Sequence, residues 1–559
     1  MKSHLRIALL LALVLLVSAT ALASAYDRKP KVVVVIIVDQ LRGDLVERYH
    51  DEFIPGGFRR FTDEGAWFTT CYFQYSNTRT APGHATLGTG SYTLGHGIVN
   101  NEWFDPKIDP GDAKSLRCVA DADLAAHHTV SSVFDPNTLI VGIEGNHCGS
   151  SPFRLLTDTL GDELKLATGG KARVFGIAFK DRAAILPVGF TANAAYWIDH
   201  VSGKWVSSTY YMKELPGWLA AFNGNGERAT KYLNQEWKDA QGNVLRTTKQ
   251  EKTADGTVTP FYDLVGPTPL ANDYTIEFAR ELMERENVGS GPVTDLVTIS
   301  FSSHDILGHK TGPDSPEEHA MMLALDREFA AFFEWLDKRY GRENVVLAFA
   351  ADHGIAPMPD YSAKLRMPAF SVDGKDFGTQ INRMVAAKLG QPGDYVHYFD
   401  YPNAFLNAAA FEAVHVNQAD AEKMVGEAMM ALGLRGYVTK GQLAQGVAPA
   451  TVFARKYLNA YSPHASWYVL GMTQPFVVGY PTGTDHAMPY TYDSHIPLAF
   501  AGPMFRPGHY RETVEPVDLA VTLSSVLGVN PPASAVGRVL HEAFVDAPAP
   551  GAPSEGVTK

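Results

Sequence analysis

Side chains able to bind metal cluster in this chain at the ends of apolar runs. Asp39 follows Val32 to Val38, Asp305 and His309 follow Leu296 to Phe301, and Asp352-His353 follows Val345 to Ala350. His486 stands in the turn-like stretch Gly483-Thr484-Asp485-His486. Any one of these has an ordinary explanation, since an Asp ending a strand commonly caps a helix and a lone His is commonly a hydrogen-bonded core residue. Their joint occurrence at strand ends, where open α/β sheets assemble their sites, points to a single centre. Three aspartates and three histidines, with a hydroxyl and no thiolate, supply two sites of mixed oxygen and nitrogen donors, a set that suits two zinc ions open to substrate. Two metals roughly 3.5 to 4 Å apart clamp the attacking and leaving oxygens of an in-line displacement, the geometry of phosphoryl transfer.

The hydroxyl is that of Thr80, in Asn77-Thr78-Arg79-Thr80-Ala81-Pro82-Gly83-His84-Ala85-Thr86. Pro82 can open a helix, which brings backbone N–H groups and the positive end of a helix dipole to the oxygen. Coordination to a cation would stabilise the alkoxide. The ordinary reading of such a Thr is an N-cap. Lys180-Asp181-Arg182 adds two cations at the end of a strand over Val174 to Phe179. Strand alternation places Lys180 and Arg182 on one side and turns Asp181 away. Two cations aimed at nonbridging oxygens favour a dianionic phosphate monoester over a singly charged diester. A basic pair at a strand end is otherwise simply solvated, and Arg154 and Lys165 are less well placed alternatives.

These groups need a scaffold that gathers strand ends. Val32 to Val38 is an unbroken β-branched run, as expected of a strand covered on both faces in a mainly parallel sheet. Ala172 to Ala178, Asp295 to Phe301, Asn344 to Ala350 and His495 to Ala501 are runs of the same kind, and Ala271 to Glu286 and Pro316 to Asp337 carry helical periodicity. The alternation predicts an α/β fold with helices on both faces of the sheet. Residues 189–267 and 358–481 break the rhythm and read as insertions that decorate or cap the core. The aromatics from Tyr196 to Trp237 read as packing; in a noncatalytic metal- or glycan-binding protein they would form the binding surface.

Composition narrows the classes further. The 559 residues include 61 Asp and Glu against 48 Lys and Arg, a formal charge of -13, which argues against a nucleic-acid partner held by a basic surface. With 45% hydrophobic and 19% charged residues the chain is globular rather than fibrous or disordered. Residues 1–25 have the layout of a cleaved secretory signal: Lys2 and Arg6, an apolar run from Ile7 to Val17, then Ala21-Leu22-Ala23 and Ala23-Ser24-Ala25. Export to the periplasm or the outside follows, with no stable membrane association after cleavage. The run is short for an uncleaved anchor. A catalytic domain over 26–546 and a disordered tail over 547–559 complete the expected organisation. Cys71, Cys118 and Cys148 allow at most one disulfide; Cys118 to Cys148 is permitted, but its pairing is open.

The set of Asp39, Thr80-Ala81-Pro82-Gly83-His84, Asp305 with His309, Asp352-His353-Gly354 and His486 resembles the alkaline phosphatase superfamily in order and strand context. Ser494 to Gly502 and Val517 to Gly528 are similar to its final strand and helix, so the resemblance spans roughly Lys31 to Leu540. It implies a three-layer α/β/α core and two Zn2+ per chain, one held by Asp39, Asp352 and His353 next to Thr80, the other by Asp305, His309 and His486. Within the superfamily, sulfatases carry a modified Cys or Ser where this chain has Thr80, and an exported mutase makes little metabolic sense. Nucleotide pyrophosphatases and phosphodiesterases use a Thr and an Asn some twenty residues on, whose counterpart is Asn101. Lys180 and Arg182 look like the pair of the phosphate-irrepressible periplasmic alkaline phosphatases. The resemblance therefore implies hydrolysis of a broad range of small phosphate monoesters through a phosphothreonine, with a phosphodiesterase as the alternative. Thr80 would be the nucleophile, and Asn101, Lys180 and Arg182 would bind and stabilise the phosphoryl group.

Overall fold

The computed structural model describes residues 29–545 apart from 106, 109–128, 225–226, 253–255 and 464. The expected signal segment, the tail and Cys118 lie outside the described residues. The core is an eleven-stranded mixed sheet. Its centre is parallel, in the order Val345–Ala350, Val32–Val38, Asp295–Phe301, Val174–Ala178 and Ala194–Ile198. All seven residues of Val32–Val38 are buried, with at most 4% of any side chain exposed, which accounts for an apolar run without alternation. The long helices Pro269–Arg285 and Pro316–Tyr340 pack against each other. Burying each Val or Ile of the central strands contributes about 1.5 to 3 kcal/mol.

The core is the expected mainly parallel α/β sheet, and one of the stretches read as insertions needs correction. His495–Ala501 runs antiparallel to both Val345–Ala350 and Ala66–Tyr72, and Gly508–Tyr510 then pairs parallel with Ala66–Tyr72 at the edge, so one antiparallel strand interrupts the parallel pairing on that side. Of the stretches read as insertions, 189–267 contributes Ala194–Ile198 and Trp205–Ser208 to the central sheet. Its aromatics are packing: the Trp205 ring stacks 4.0 Å from that of Phe278. The stretch 358–481 contains an antiparallel sheet of Val396–Asp400, Asn403–Leu406, Tyr468–Met472 and Gly436–Thr439, with an apolar cluster that includes Ile381, Tyr395, Val425 and Met429.

Cys148 is disulfide-bonded and Cys71 is a buried free thiol. Among the described residues no helix is long and apolar enough to cross a membrane.

Candidate active site

The parallel strands end together, and their ends carry the predicted ligands. Asp39 leaves Val32–Val38 with its N–H on the Phe301 carbonyl, 3.0 Å away, and is fully buried. Asp305 and His309 lie one turn apart in the helix Ser303–Thr311, with Nε2 of His309 3.3 Å from Oδ1 of Asp305. Asp352 and His353 follow Val345–Ala350, and both are fully buried. His486 arrives on an irregular segment that crosses the centre. A Cβ at Gly483 would meet the His309 carbonyl at 2.2 Å, so only glycine allows that approach.

Three side-chain groups converge: Asp39, Asp352 and His353; Asp305, His353 and His486; and His309, Asp485 and His486. The first is the predicted nucleophile-side set. The other two together contain the predicted Asp305, His309 and His486, joined through an Asp305–His486 separation of 3.9 Å, and add Asp485, which sequence reasoning did not assign.

The donors are set up for cations. His309, His353 and His486 each place Nδ1 on a backbone carbonyl, of Thr484 at 2.9 Å, Gly354 at 2.9 Å and Thr78 at 2.6 Å. An Nδ1–H donor in each leaves the Nε2 lone pair facing the centre. Oδ1 of Asp39 and Oδ2 of Asp352 are buried without hydrogen-bond partners and lie 3.6 and 3.4 Å from His353 Nε2. Burial, joined by Asp305 and Asp352, pushes the Asp39 carboxyl well above its ordinary range. Burial also lowers His353 to about 4 and holds His486 well below the usual imidazole value. Crowded carboxylates beside neutral imidazoles are a donor set that fits divalent cations.

Thr80 begins the helix Thr80–Thr89, with Arg79 as its N-cap residue. Thr80 is the first helical residue rather than the cap, and its Oγ1 lies 3.4 Å from His353 Nε2, so the ordinary N-cap reading does not apply. Gly83 lets this helix reach the metal-binding loop, because a Cβ there would stand 2.2 Å from the Asp352 carbonyl. His84 Nδ1 is 2.9 Å from the Thr80 carbonyl and 3.2 Å from Asp352 Oδ2. Asn101 accepts the Ala81 N–H through Oδ1 at 2.8 Å, which leaves its Nδ2 as a donor beside the nucleophile.

Lys180 is brought here by a different route from the one expected. The strand Val174–Ala178 stops early; Lys180 is the N-cap of a short helix, Asp181–Ile185, and Arg182 lies inside it, so strand alternation does not orient them. Lys180 Nζ reaches Asp39 Oδ2 at 2.7 Å and Asp305 Oδ2 at 2.5 Å, bridging the two sets. Burial works against its charge, yet Asp305 and Asp39 hold its pKa well above the ordinary lysine value. Arg182 Nε is buried and has no hydrogen-bond partner. Arg154 is engaged elsewhere, with Asp105 at 2.9 Å.

Gln40 was also missed. It sits at φ 70, a left-handed conformation uncommon outside glycine. From there its N–H donates to Asp352 Oδ1 at 3.0 Å and its Nε2 to Asp305 Oδ1 at 2.8 Å, tying a carboxylate of each set to one residue. Its only signal in the sequence is its place directly after Asp39.

A mixed α/β sheet with two carboxylate-imidazole sets and a threonine between them defines a class, and comparison with known proteins agrees. The chain belongs to the type I phosphodiesterase / nucleotide pyrophosphatase family, matched over residues 33–432, within the alkaline phosphatase superfamily. It is 33% identical to a Myroides odoratus protein named calcium-transporting ATPase, over 94% of this chain and 97% of that one. It is 30% identical to alkaline phosphatase PhoV of Synechococcus elongatus, over 92% and 93% of the two chains. With alkaline phosphatase PafA of Elizabethkingia meningoseptica it shares 31% identity over 92% of this chain and 94% of that one. The crystal structure of PafA superimposes with a TM-score of 0.80 at 27% identity, covering 92% of this chain and 99% of that one.

Proposed function

We propose that this protein is an exported, zinc-dependent alkaline phosphatase that hydrolyses small phosphate monoesters through a phosphothreonine at Thr80. The observation that carries the reading is the Thr80 hydroxyl, 3.4 Å from His353 Nε2, beside two convergent sets of carboxylates and imidazoles. Asp39, Asp352 and His353 would hold one zinc with Thr80, and Asp305, His309 and His486 the other. Bound there, zinc supplies Lewis acidity to the attacking and leaving oxygens. The donor set, without thiolate, supports zinc.

The protein's own groups do the rest. Thr80 Oγ attacks phosphorus in line; the Oγ–P bond forms as the ester O–P bond breaks, and the alcohol leaves. Water then attacks the phosphothreonine, releasing inorganic phosphate and restoring the hydroxyl. Asn101 Nδ2, the Lys180 ammonium and the Arg182 guanidinium hold the nonbridging oxygens as charge redistributes. In a solved variant of PafA a threonine, an asparagine, a lysine and an arginine are replaced together; their Thr-to-Asn and Lys-to-Arg separations match those between Thr80 and Asn101 and between Lys180 and Arg182. The signal-like N-terminus and the disulfide-bonded Cys148 support export into an oxidising compartment.

The family name keeps a second reading in view, a phosphodiesterase. Catalytic efficiencies for an aryl phosphate monoester, the matching diester and the matching sulfate, on zinc-loaded protein, decide between them. The monoester should be turned over fastest, and Lys180→Ala or Arg182→Ala should cost it about 10- to 100-fold while touching the diester far less. A wild type that prefers the diester, or equal losses on both substrates, would favour the phosphodiesterase. Recovery of chelated enzyme by manganese or magnesium alone would argue against zinc.

A further inference from the structure

The unit formed by 358–481 sends one carboxylate to the active site. Asp400, the last residue of Val396–Asp400, accepts from Arg79 Nη2 at 2.6 Å through Oδ1 and from Asn100 Nδ2 at 2.8 Å through Oδ2. Arg79 directly precedes Thr80, and Asn100 directly precedes Asn101. The far side is closed as well: Asn100 Oδ1 accepts the Asn101 N–H at 2.9 Å, and Asn101 Oδ1 accepts the Ala81 N–H at 2.8 Å. Hydrogen bonds thus run in a ring through Asp400, Arg79, the Thr80–Ala81 peptide, Asn101 and Asn100, and Asp400 is its only member from the inserted unit.

Two members of the ring are buried, and the Asp400 side chain is 16% exposed. Arg79 is 4% exposed and Asn100 not at all. The other terminal nitrogen of Arg79 donates to Asp485 at 3.1 Å, one residue before His486, and Nη2 also faces the Tyr401 carbonyl at 3.5 Å. The guanidinium is held between Asp400 and Asp485, which fixes its position directly before Thr80.

We infer that Asp400 is a positioning residue, which sets the spacing between the Thr80 nucleophile and the phosphoryl-binding amide of Asn101. The inference rests on the roles given above to Thr80 and Asn101. Without the carboxylate, Arg79 and Asn100 lose the group that joins them, and the two turns are free to part. A misplacement near 1 Å costs about 100-fold in rate.

A double-mutant cycle over wild type, Asp400→Ala, Asn101→Ala and the double variant tests this, with zinc content and melting temperature measured on each. It is read on whichever of the aryl monoester or diester the wild type hydrolyses faster. A preference for the diester would therefore count against the proposed function and still leave the cycle readable. Asp400→Ala should lower kcat/KM about 10- to 100-fold with two metals still bound. In the Asn101→Ala background the same change should cost only about two- to threefold, because much of its effect passes through Asn101. Asp400→Asn, which keeps an acceptor for Asn100 but loses the charge on Arg79, should fall between; it replaces the alanine in the cycle if that variant melts early. Equal losses in both backgrounds, or full activity without Asp400, overturns the inference.

Discussion

The two ligand sets differ in exposure. Asp39, Asp352 and His353 are wholly buried under the Thr80 helix, whereas the His309 side chain of the other set is 32% exposed. The difference suits a division of labour in which the nucleophile is shielded from water while the leaving group and the incoming water pass on the open side. It also has an origin in the chain. The closed set comes from residues that directly follow central strands, and the open set from a helix and a segment more than a hundred residues beyond it.

The largest effect that can break this contrast is loss of a ligand from each set. Asp352→Ala removes a buried acceptor used by the Gln40 N–H and exposes the centre beneath Thr80, so it should lower kcat by at least about a thousandfold and also lower the melting temperature. His309→Ala should lower activity comparably, yet leave the melting temperature near that of wild type. Equal thermal losses would erase the distinction. Gln40→Ala should act on both sets, weakening metal affinity about 10- to 100-fold with the fold kept, as judged by metal titration; weakening at one set alone would show that the bridge is not shared. Gly83→Ala should destabilise the protein by about 1 to 3 kcal/mol in denaturant unfolding, through its contact with the Asp352 carbonyl. A neutral result would mean that the helix can move without cost.

The sequence carried the closed set plainly because strand ends are written locally: an apolar run stops and an Asp follows. The six side chains proposed as ligands converge where those runs predicted a centre, with Thr80 beside His353 and Asn101 bonded to the Ala81 N–H. Lys180 reaches Asp39 and Asp305, but the strand gives out at Ala178 and a helix takes over, so strand alternation is not what orients Lys180 and Arg182. Residues 189–267 read as an insertion because their strands are short: Ala194–Ile198 continues the parallel centre with five residues, and Trp205–Ser208 adds antiparallel to it with four. The ring through Asp400 was invisible, since Arg79 and Asp400 are 321 positions apart and neither residue type signals the other.

The most direct test of the central claim is to quench the zinc-loaded enzyme in acid during turnover of a phosphate-labelled monoester and map the bound phosphate. The account predicts label on Thr80, none in Thr80→Ala, and in that variant a kcat at least about a thousandfold lower with two metals retained. Label on another residue, or a Thr80→Ala enzyme that works at the wild-type rate, would contradict it.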